Sequence, residues 1–179
     1  MNEKIKNWLG NNEELYQKYR SFSQRIPFNV VKFVEDYLPD ISLIESVISQ
    51  KGVRGFIKEE DDGKIYICVH KFDSPTGKRF TIAHELGHYF RHRDEIKNGF
   101  VDGIAGAIAR NGDFSRQEKE ANEFAAELLM PELEFSEIFK EKHGNLADIA
   151  EFFIVSEAAA YTRAKILQLI NKEELSYFC

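Results

Sequence analysis

The stretch Arg79-Phe80-Thr81-Ile82-Ala83-His84-Glu85-Leu86-Gly87-His88 decides how this 179-residue sequence is interpreted. Ser74-Pro75 supplies an N-cap and a first-turn proline ahead of it, which predicts a helix from there to about His92. The apolar stripe along this helix consists of Phe80, Ile82, Ala83 and Leu86. His84 and His88 lie one helical turn apart on one face, at a separation suited to a single metal ion. The stretch therefore predicts a largely buried, metal-binding helix.

Residues 84–88 match the pattern H-E-x-x-H. In that pattern two neutral imidazoles bind zinc, the ion acidifies a water molecule, and the adjacent carboxylate takes the proton as water attacks a peptide carbonyl. Glu85 fits the role of the general base. The five residues occur by chance in about one chain in a hundred of this composition. A surface helix with two solvated histidines is therefore the alternative to weigh against a metal site.

Two histidines leave a catalytic zinc ion one protein ligand short. The next strong helical pattern runs from Ser115 to Met130 and contains Glu118. By helical spacing this acid shares a face with Ala121, Asn122, Ala125 and Leu129. An acid on a face of small and apolar residues favours a metal partner. Asn122, one turn further on, could orient a ligating histidine through a hydrogen bond.

Glu118 also has an explanation that needs no metal. Together with Ser115 it forms the pattern S-x-x-E, a capping box that satisfies the first amides of a helix. Glu120 and Glu123 are rival ligands on the same helix. We expect those two to point to other faces and to form a solvated stripe.

Two blocks of sequence carry a family resemblance. One is the stretch 79–88, and the other runs from Glu118 to Pro131 as E-x-x-A-N-x-F-A-A-x-L-L-M-P. In this order and spacing the blocks resemble the ImmA/IrrE family of metallopeptidases. The resemblance extends from about Pro27 to Ile170, although only the two blocks are specific.

The resemblance implies a site and a chemistry. His84, His88 and Glu118 would bind one zinc ion per chain, with another divalent metal as an alternative, and Glu85 would be the general base. The family is similar in its core to thermolysin-like enzymes, where a substrate segment lies along an edge strand beside the metal helix. Here that strand would be Ile65 to His70.

The resemblance also implies a partner. Family members are implied to cut repressors with a helix-turn-helix domain, encoded beside them in mobile elements, phages or stress operons. We therefore expect a zinc-dependent endopeptidase with such a repressor as its substrate. A non-catalytic interaction protein, such as a toxin–antitoxin or anti-repressor component, is the alternative. The intact Glu85 argues against it, because a dead protease could lose the base and keep the metal.

The remaining pattern predicts an α+β fold. Short β-prone runs between Ile41 and His70 follow two predicted N-terminal helices, and Asp61-Asp62-Gly63 is typical of a hairpin turn. We expect a small antiparallel sheet packed on the metal helix, with a helical C-terminal half closing the site. The predicted regions are an N-terminal helical extension (1–26), a metallopeptidase core (27–142) and a C-terminal helical segment packed on the core (143–179).

The C-terminal segment resembles a helix-turn-helix, with Glu157 to Leu169 as the recognition helix. A DNA reader needs basic side chains there, and this helix contains only Arg163 and Lys165. The net charge of −6 also argues against a surface built to neutralise phosphates. Direct binding to nucleic acid is therefore not expected, and a DNA-binding regulator stays an alternative.

Three further features complete the interpretation. His92 lies one turn beyond His88, where it could support the site or stabilise an oxyanion, or be a hydrogen-bonded residue at a helix end. Cys68 and Cys179 are in no metal-binding pattern, which is typical of free thiols in the cytoplasm. No apolar run is long enough to span a membrane, and no signal peptide is recognisable.

Overall fold

A computed structural model describes residues 3–10, 12–23, 26–98, 100–101 and 112–170. The helices are α1 (Glu3–Trp8), α2 (Glu13–Ser23), α3 (Val30–Tyr37), α4 (Pro75–Arg91), α5 (Gly112–Leu129), α6 (Glu132–Glu141), α7 (Leu146–Phe153) and α8 (Glu157–Ile166). The strands are β1 (Ile41–Ser46), β2 (Gly55–Glu59), β3 (Ile65–His70) and β4 (Phe100–Val101), and a 3-10 helix spans Arg93–Asn98. The α+β class is confirmed. The stretch from Asn98 to Gly112 is rich in glycine, which predicts a loop with a short strand around Ile104 to Ile108, and most of it lies outside the described residues.

The sheet has the strand order β1-β3-β2-β4 and is mixed. Strands β2 and β3 form the predicted antiparallel hairpin, and Gly63 in its turn has φ +82°, which suits glycine. Strand β1 runs parallel to β3. The expectation of a wholly antiparallel sheet is therefore wrong at this pair of strands.

The expectation that Ile65 to His70 is an edge strand is also wrong. This strand, β3, pairs with β1 on one side and β2 on the other, so the edges are β1 and β4. Its near-continuous apolar run explains the difference, because interior strands are covered on both faces. The buried members of that run are Ile65, Ile67, Cys68 and Val69.

Helix α4 is the centre of the fold. Its N-cap is Ser74, whose Oγ accepts a hydrogen bond from the amide of Gly77 at 3.0 Å, and Pro75 is the first helical residue. Every residue from Thr81 to His88 is buried. The helix contacts β2 and β3 on the sheet side and α5 on the other. The predicted metal helix is thus a core element and not a surface helix.

The hydrophobic core is continuous from the N-terminal helices to the C-terminal ones. It includes Ile5 of α1, Phe22 of α2, Phe124 of α5, Phe153 of α7 and Ala164 of α8. The division into three regions stays a prediction. None of the helices in the described part of the chain combines the length and apolar character that a membrane crossing requires.

Candidate metal centre

Three side chains from α4 and α5 converge in the buried layer between these helices. The Nε2 atoms of His84 and His88 are 3.1 Å apart. Glu118 Oε2 lies 3.3 Å from Nε2 of His84, and Glu118 Oε1 lies 3.2 Å from Nε2 of His88. All three residues are less than one-tenth exposed. The three predicted ligands are therefore brought together.

These separations fit a bound metal ion. Zinc holds imidazole nitrogens and carboxylate oxygens at about 2.0–2.2 Å, so ligand atoms around a tetrahedral ion lie roughly 3.4 Å apart. The contacts of 3.1–3.3 Å between the side chains of His84, His88 and Glu118 agree with that spacing. Two imidazoles and one carboxylate are also the donor set of many metallopeptidases. The cluster could hold a metal ion.

Glu118 faces the histidines and is not part of a capping box. Helix α5 begins at Gly112, so Ser115 lies within the helix and not at its N-cap. Burial raises the pKa of Glu118, but its hydrogen bonds with His84 and His88 outweigh burial and bring that pKa to about 2. The carboxylate is therefore ionised at neutral pH, the form that a metal needs.

The surroundings of the two histidines also favour metal binding. Burial lowers the pKa of His88, against the hydrogen bond with Glu118, which raises it. A lowered pKa favours the neutral imidazole that binds metals. His84 Nδ1 lies 3.1 Å from Oδ1 of Asn122, one turn after Glu118. If His84 binds through Nε2, its Nδ1–H donates to this amide oxygen, which fixes the ring orientation.

Glu85 is the predicted general base. It follows His84 directly on α4 and is completely buried. Its role as general base stays a prediction.

The family model that matches this chain is Peptidase_M78, the IrrE N-terminal-like domain, and the match covers residues 39–165. The chain belongs to this family. The match confirms the resemblance noted for the two sequence blocks, and both blocks lie inside it. A comparison with curated proteins gives no significant match.

Among solved structures, the chain is similar to a transcriptional regulator from Mycobacterium tuberculosis. The two are 17% identical with a TM-score of 0.55, and the match covers 88% of this chain and 50% of the regulator. The chain thus spans half the length of that protein. At this identity the likeness shows the fold alone.

Gly87 is what lets the two helices of this Peptidase_M78 site approach each other. A Cβ at Gly87 would lie 2.8 Å from Cα of Ala121 and 3.0 Å from its carbonyl oxygen. Both atoms belong to the backbone of α5, so no side-chain rotation relieves the contact. The close approach brings Glu118, one turn before Asn122, within reach of both histidines.

We expect Gly87→Ala to weaken metal binding as well as stability. The added methyl forces α4 and α5 apart, and overpacking of a buried contact costs about 1–3 kcal/mol of unfolding free energy. Chemical denaturation and zinc titration of the variant measure the two effects. Unchanged zinc affinity in Gly87→Ala would contradict the role given to the close approach.

The expectation that Glu120 belongs to a solvated stripe is wrong. Its Oε2 lies 3.1 Å from Nη2 of Arg91 and 3.5 Å from Nε2 of His92. Glu123, the other rival, is exposed. The expectation failed for Glu120 because its partners come from the end of α4, which sequence spacing on α5 alone does not reveal.

His92 is a buried residue at the C-cap of α4. Its ring centroid lies 5.5 Å from that of His88, so it adjoins the cluster without belonging to the set of three converging ligands. The contact with Glu120 ties it to α5. These contacts match the expectation of a hydrogen-bonded residue at a helix end. That His92 stabilises an oxyanion stays a prediction.

Two arginines that the sequence did not single out attach the C-terminal helices to the site. Arg79 on α4 donates to the carbonyl oxygens of Ile154 at 3.1 Å and Phe153 at 3.3 Å. Arg163 on α8 is buried, forms an ion pair with Glu127 of α5, and donates to the carbonyl of Met130 at 2.9 Å. Helices α7 and α8 are therefore bonded to both helices that carry the cluster.

Proposed function

We propose that this chain is a zinc-dependent endopeptidase, with His84, His88 and Glu118 as the metal ligands and Glu85 as the general base. The observation that carries the proposal is the buried convergence of two imidazole nitrogens and a carboxylate at metal-ligand spacing. Membership of a peptidase family supports it. The three ligand residues are less than one-tenth exposed, so water screens their charges less than it would at the surface.

The residues divide the chemistry between them. A bound zinc ion supplies Lewis acidity, which polarises the scissile carbonyl and acidifies water. Glu85 takes the proton from the attacking water and returns it to the leaving amine. Asn122 holds the ring of His84 through Nδ1, and Gly87 keeps α5 close enough for Glu118 to reach both imidazoles.

We further propose that the substrate is a repressor with a helix-turn-helix domain. Support comes from the family resemblance. Incubation of the zinc-loaded chain with the helix-turn-helix protein encoded beside it, followed by mass spectrometry of the products, tests this. Intact repressor after incubation would contradict the substrate assignment and leave the metal site standing.

The DNA-binding alternative finds no support on α8. Of the two basic residues on the predicted recognition helix, Arg163 is only 5% exposed and is committed to Glu127. That leaves Lys165 as the one exposed cation of the described helix, too little to hold a phosphate backbone. The helix-turn-helix-like segment is better explained as packing.

Metal analysis tests the ligand assignment. We expect about one zinc per chain in the wild type and a near-complete loss in His88→Ala and Glu118→Ala, because each removes one of three ligands. Glu120→Ala is the matched control: the same substitution two residues along α5, at a residue paired with Arg91 and His92. Zinc lost from Glu120→Ala but kept in Glu118→Ala would reverse the assignment.

A further inference from the structure

A pocket of about 730 Å³ lies beside the cluster, between α1, α5 and α8. Its walls are mainly apolar and include Trp8, Phe80, Ala126, Met130 and Ile166. A volume of this size is in the range of pockets that bind small molecules or short peptide segments. Ile166 is 59% exposed at the rim, although it is a large apolar side chain.

The pocket adjoins the candidate metal centre on the Nδ1 side of His84. Asn122 contributes to the pocket wall, and its Oδ1 contacts Nδ1 of His84. Phe80, one turn before His84 on α4, is also part of the wall, and its ring lies 6.5 Å from the imidazole of His84. A molecule in the pocket therefore touches Asn122 and Phe80, the two residues beside the imidazole of His84.

The charges of the pocket favour a neutral, apolar occupant. Inside, Arg163 and Glu127 neutralise each other as a buried ion pair. The other charged residues of the wall are Lys4, Lys119 and Glu123, and Lys4 forms an ion pair with Glu132 at 3.6 Å, so neither sign of charge is concentrated. A small anion or cation would meet no concentration of opposite charge in this pocket. The apolar side chains of a polypeptide segment match its apolar walls.

We propose that this pocket receives an apolar segment of the polypeptide substrate, next to the bond that is cut. The inference rests on the proposed peptidase function. With Oδ1 of Asn122 directed at His84, its amide Nδ2 is the donor left for a main-chain carbonyl of the substrate. Helix α1, which supplies Lys4 and Trp8, lies outside residues 39–165, which match the family model.

Trp8 makes the pocket directly observable, because it is the single tryptophan of the chain. The experiment uses the zinc-loaded Glu85→Gln protein, which keeps the ligands and does not cut, and follows Trp8 emission during titration with oxidised insulin B chain. This probe is an unfolded polypeptide rich in apolar residues. We expect a saturable change in emission. Ala158→Phe, added in the same background, fills the pocket from an exposed helical position and weakens binding by about tenfold or more.

The matched control is Ala147→Phe, the same substitution at an exposed position on α7 away from the pocket, which leaves binding unchanged. Thermal unfolding of both variants checks that they fold. Equal binding by the Ala158→Phe and Ala147→Phe proteins, or no emission change with the Glu85→Gln protein, overturns the pocket assignment.

Cleavage separates this inference from the proposed function. With wild-type protein, cuts mapped by mass spectrometry should adjoin large apolar residues, and Ala158→Phe should move them toward smaller ones. If the B chain binds in the pocket but neither it nor the repressor is cleaved, the peptidase function is contradicted and the pocket assignment stands. Cleavage at the same positions by the wild-type and Ala158→Phe proteins contradicts the pocket assignment and leaves the proposed peptidase function standing.

Discussion

Glu85→Gln lowers the rate of peptide-bond cleavage by about a thousandfold and leaves zinc bound. The amide has nearly the shape of the carboxylate, so the completely buried site keeps its packing. It accepts no proton from water, and the loss of a positioned general base typically costs 10²–10⁴-fold, taken here as about a thousandfold. The ligands His84, His88 and Glu118 are untouched. The measurement is single-turnover cleavage of the repressor beside zinc content of the same sample.

Glu118→Gln is the informative comparison for this variant. It makes the same chemical change on the facing helix, at the carboxylate that contacts both imidazoles. We expect it to lose zinc and activity together, whereas Glu85→Gln loses activity alone. Repressor cleavage that survives Glu85→Gln at the wild-type rate would show that this carboxylate is not the base. No cleavage by either the wild-type or the Glu85→Gln protein would favour the interaction-protein alternative.

Arg163→Met costs about 3–5 kcal/mol of unfolding free energy, the loss expected when one partner of a buried ion pair is removed. The side chain of Arg163 is 6% exposed and that of Glu127 is 4% exposed, so water cannot replace the missing cation. The carbonyl of Met130 loses its donor as well. The measurement is chemical denaturation, and the zinc-loaded and zinc-free proteins should both show the loss.

Two further variants separate charge pairing from packing. Lys165→Met makes the same substitution at an exposed position of α8 and should change stability by no more than about 0.5 kcal/mol. The double variant Glu127→Leu/Arg163→Met removes both charges and should recover much of the loss, because apolar replacements of a buried pair are often neutral. An Arg163→Met protein as stable as Lys165→Met would contradict the buried pair.

The parts of the fold that sequence predicts well are those set by local chemistry. Ser74-Pro75 begins α4 through a cap and a fixed φ, and His84 and His88 share a face because of helical geometry alone. The α+β class and the family followed from such patterns. Whether Glu118 is a metal ligand could not be decided from the local sequence, because Ser115-x-x-Glu118 also fits a capping box. Only the start of α5 at Gly112 and the contacts across to α4 distinguish the two.

The parts that sequence did not predict depend on long-range contacts. Strand β3 was expected at an edge, yet β1 pairs with it in parallel after a chain crossing that no turn signal encodes. Glu120 was assigned to solvent on the periodicity of α5, while its partners Arg91 and His92 belong to α4. The burial of Arg163 was not predicted either, since burial of an arginine depends on a distant acid.

The candidate ligands come from two helices that are distant in sequence, and this has a consequence for the life of the protein in a cell. An ion bound between α4 and α5 acts as a cross-link, so metal binding also stabilises the folded chain. On the proposed function, scarcity of zinc would make the same molecules both inactive and easier to degrade, because cellular proteases act on transiently opened chains. The supply of metal would then set the amount of the protein as well as its activity, and a cell recovering from zinc starvation would regain function by new synthesis as much as by reloading.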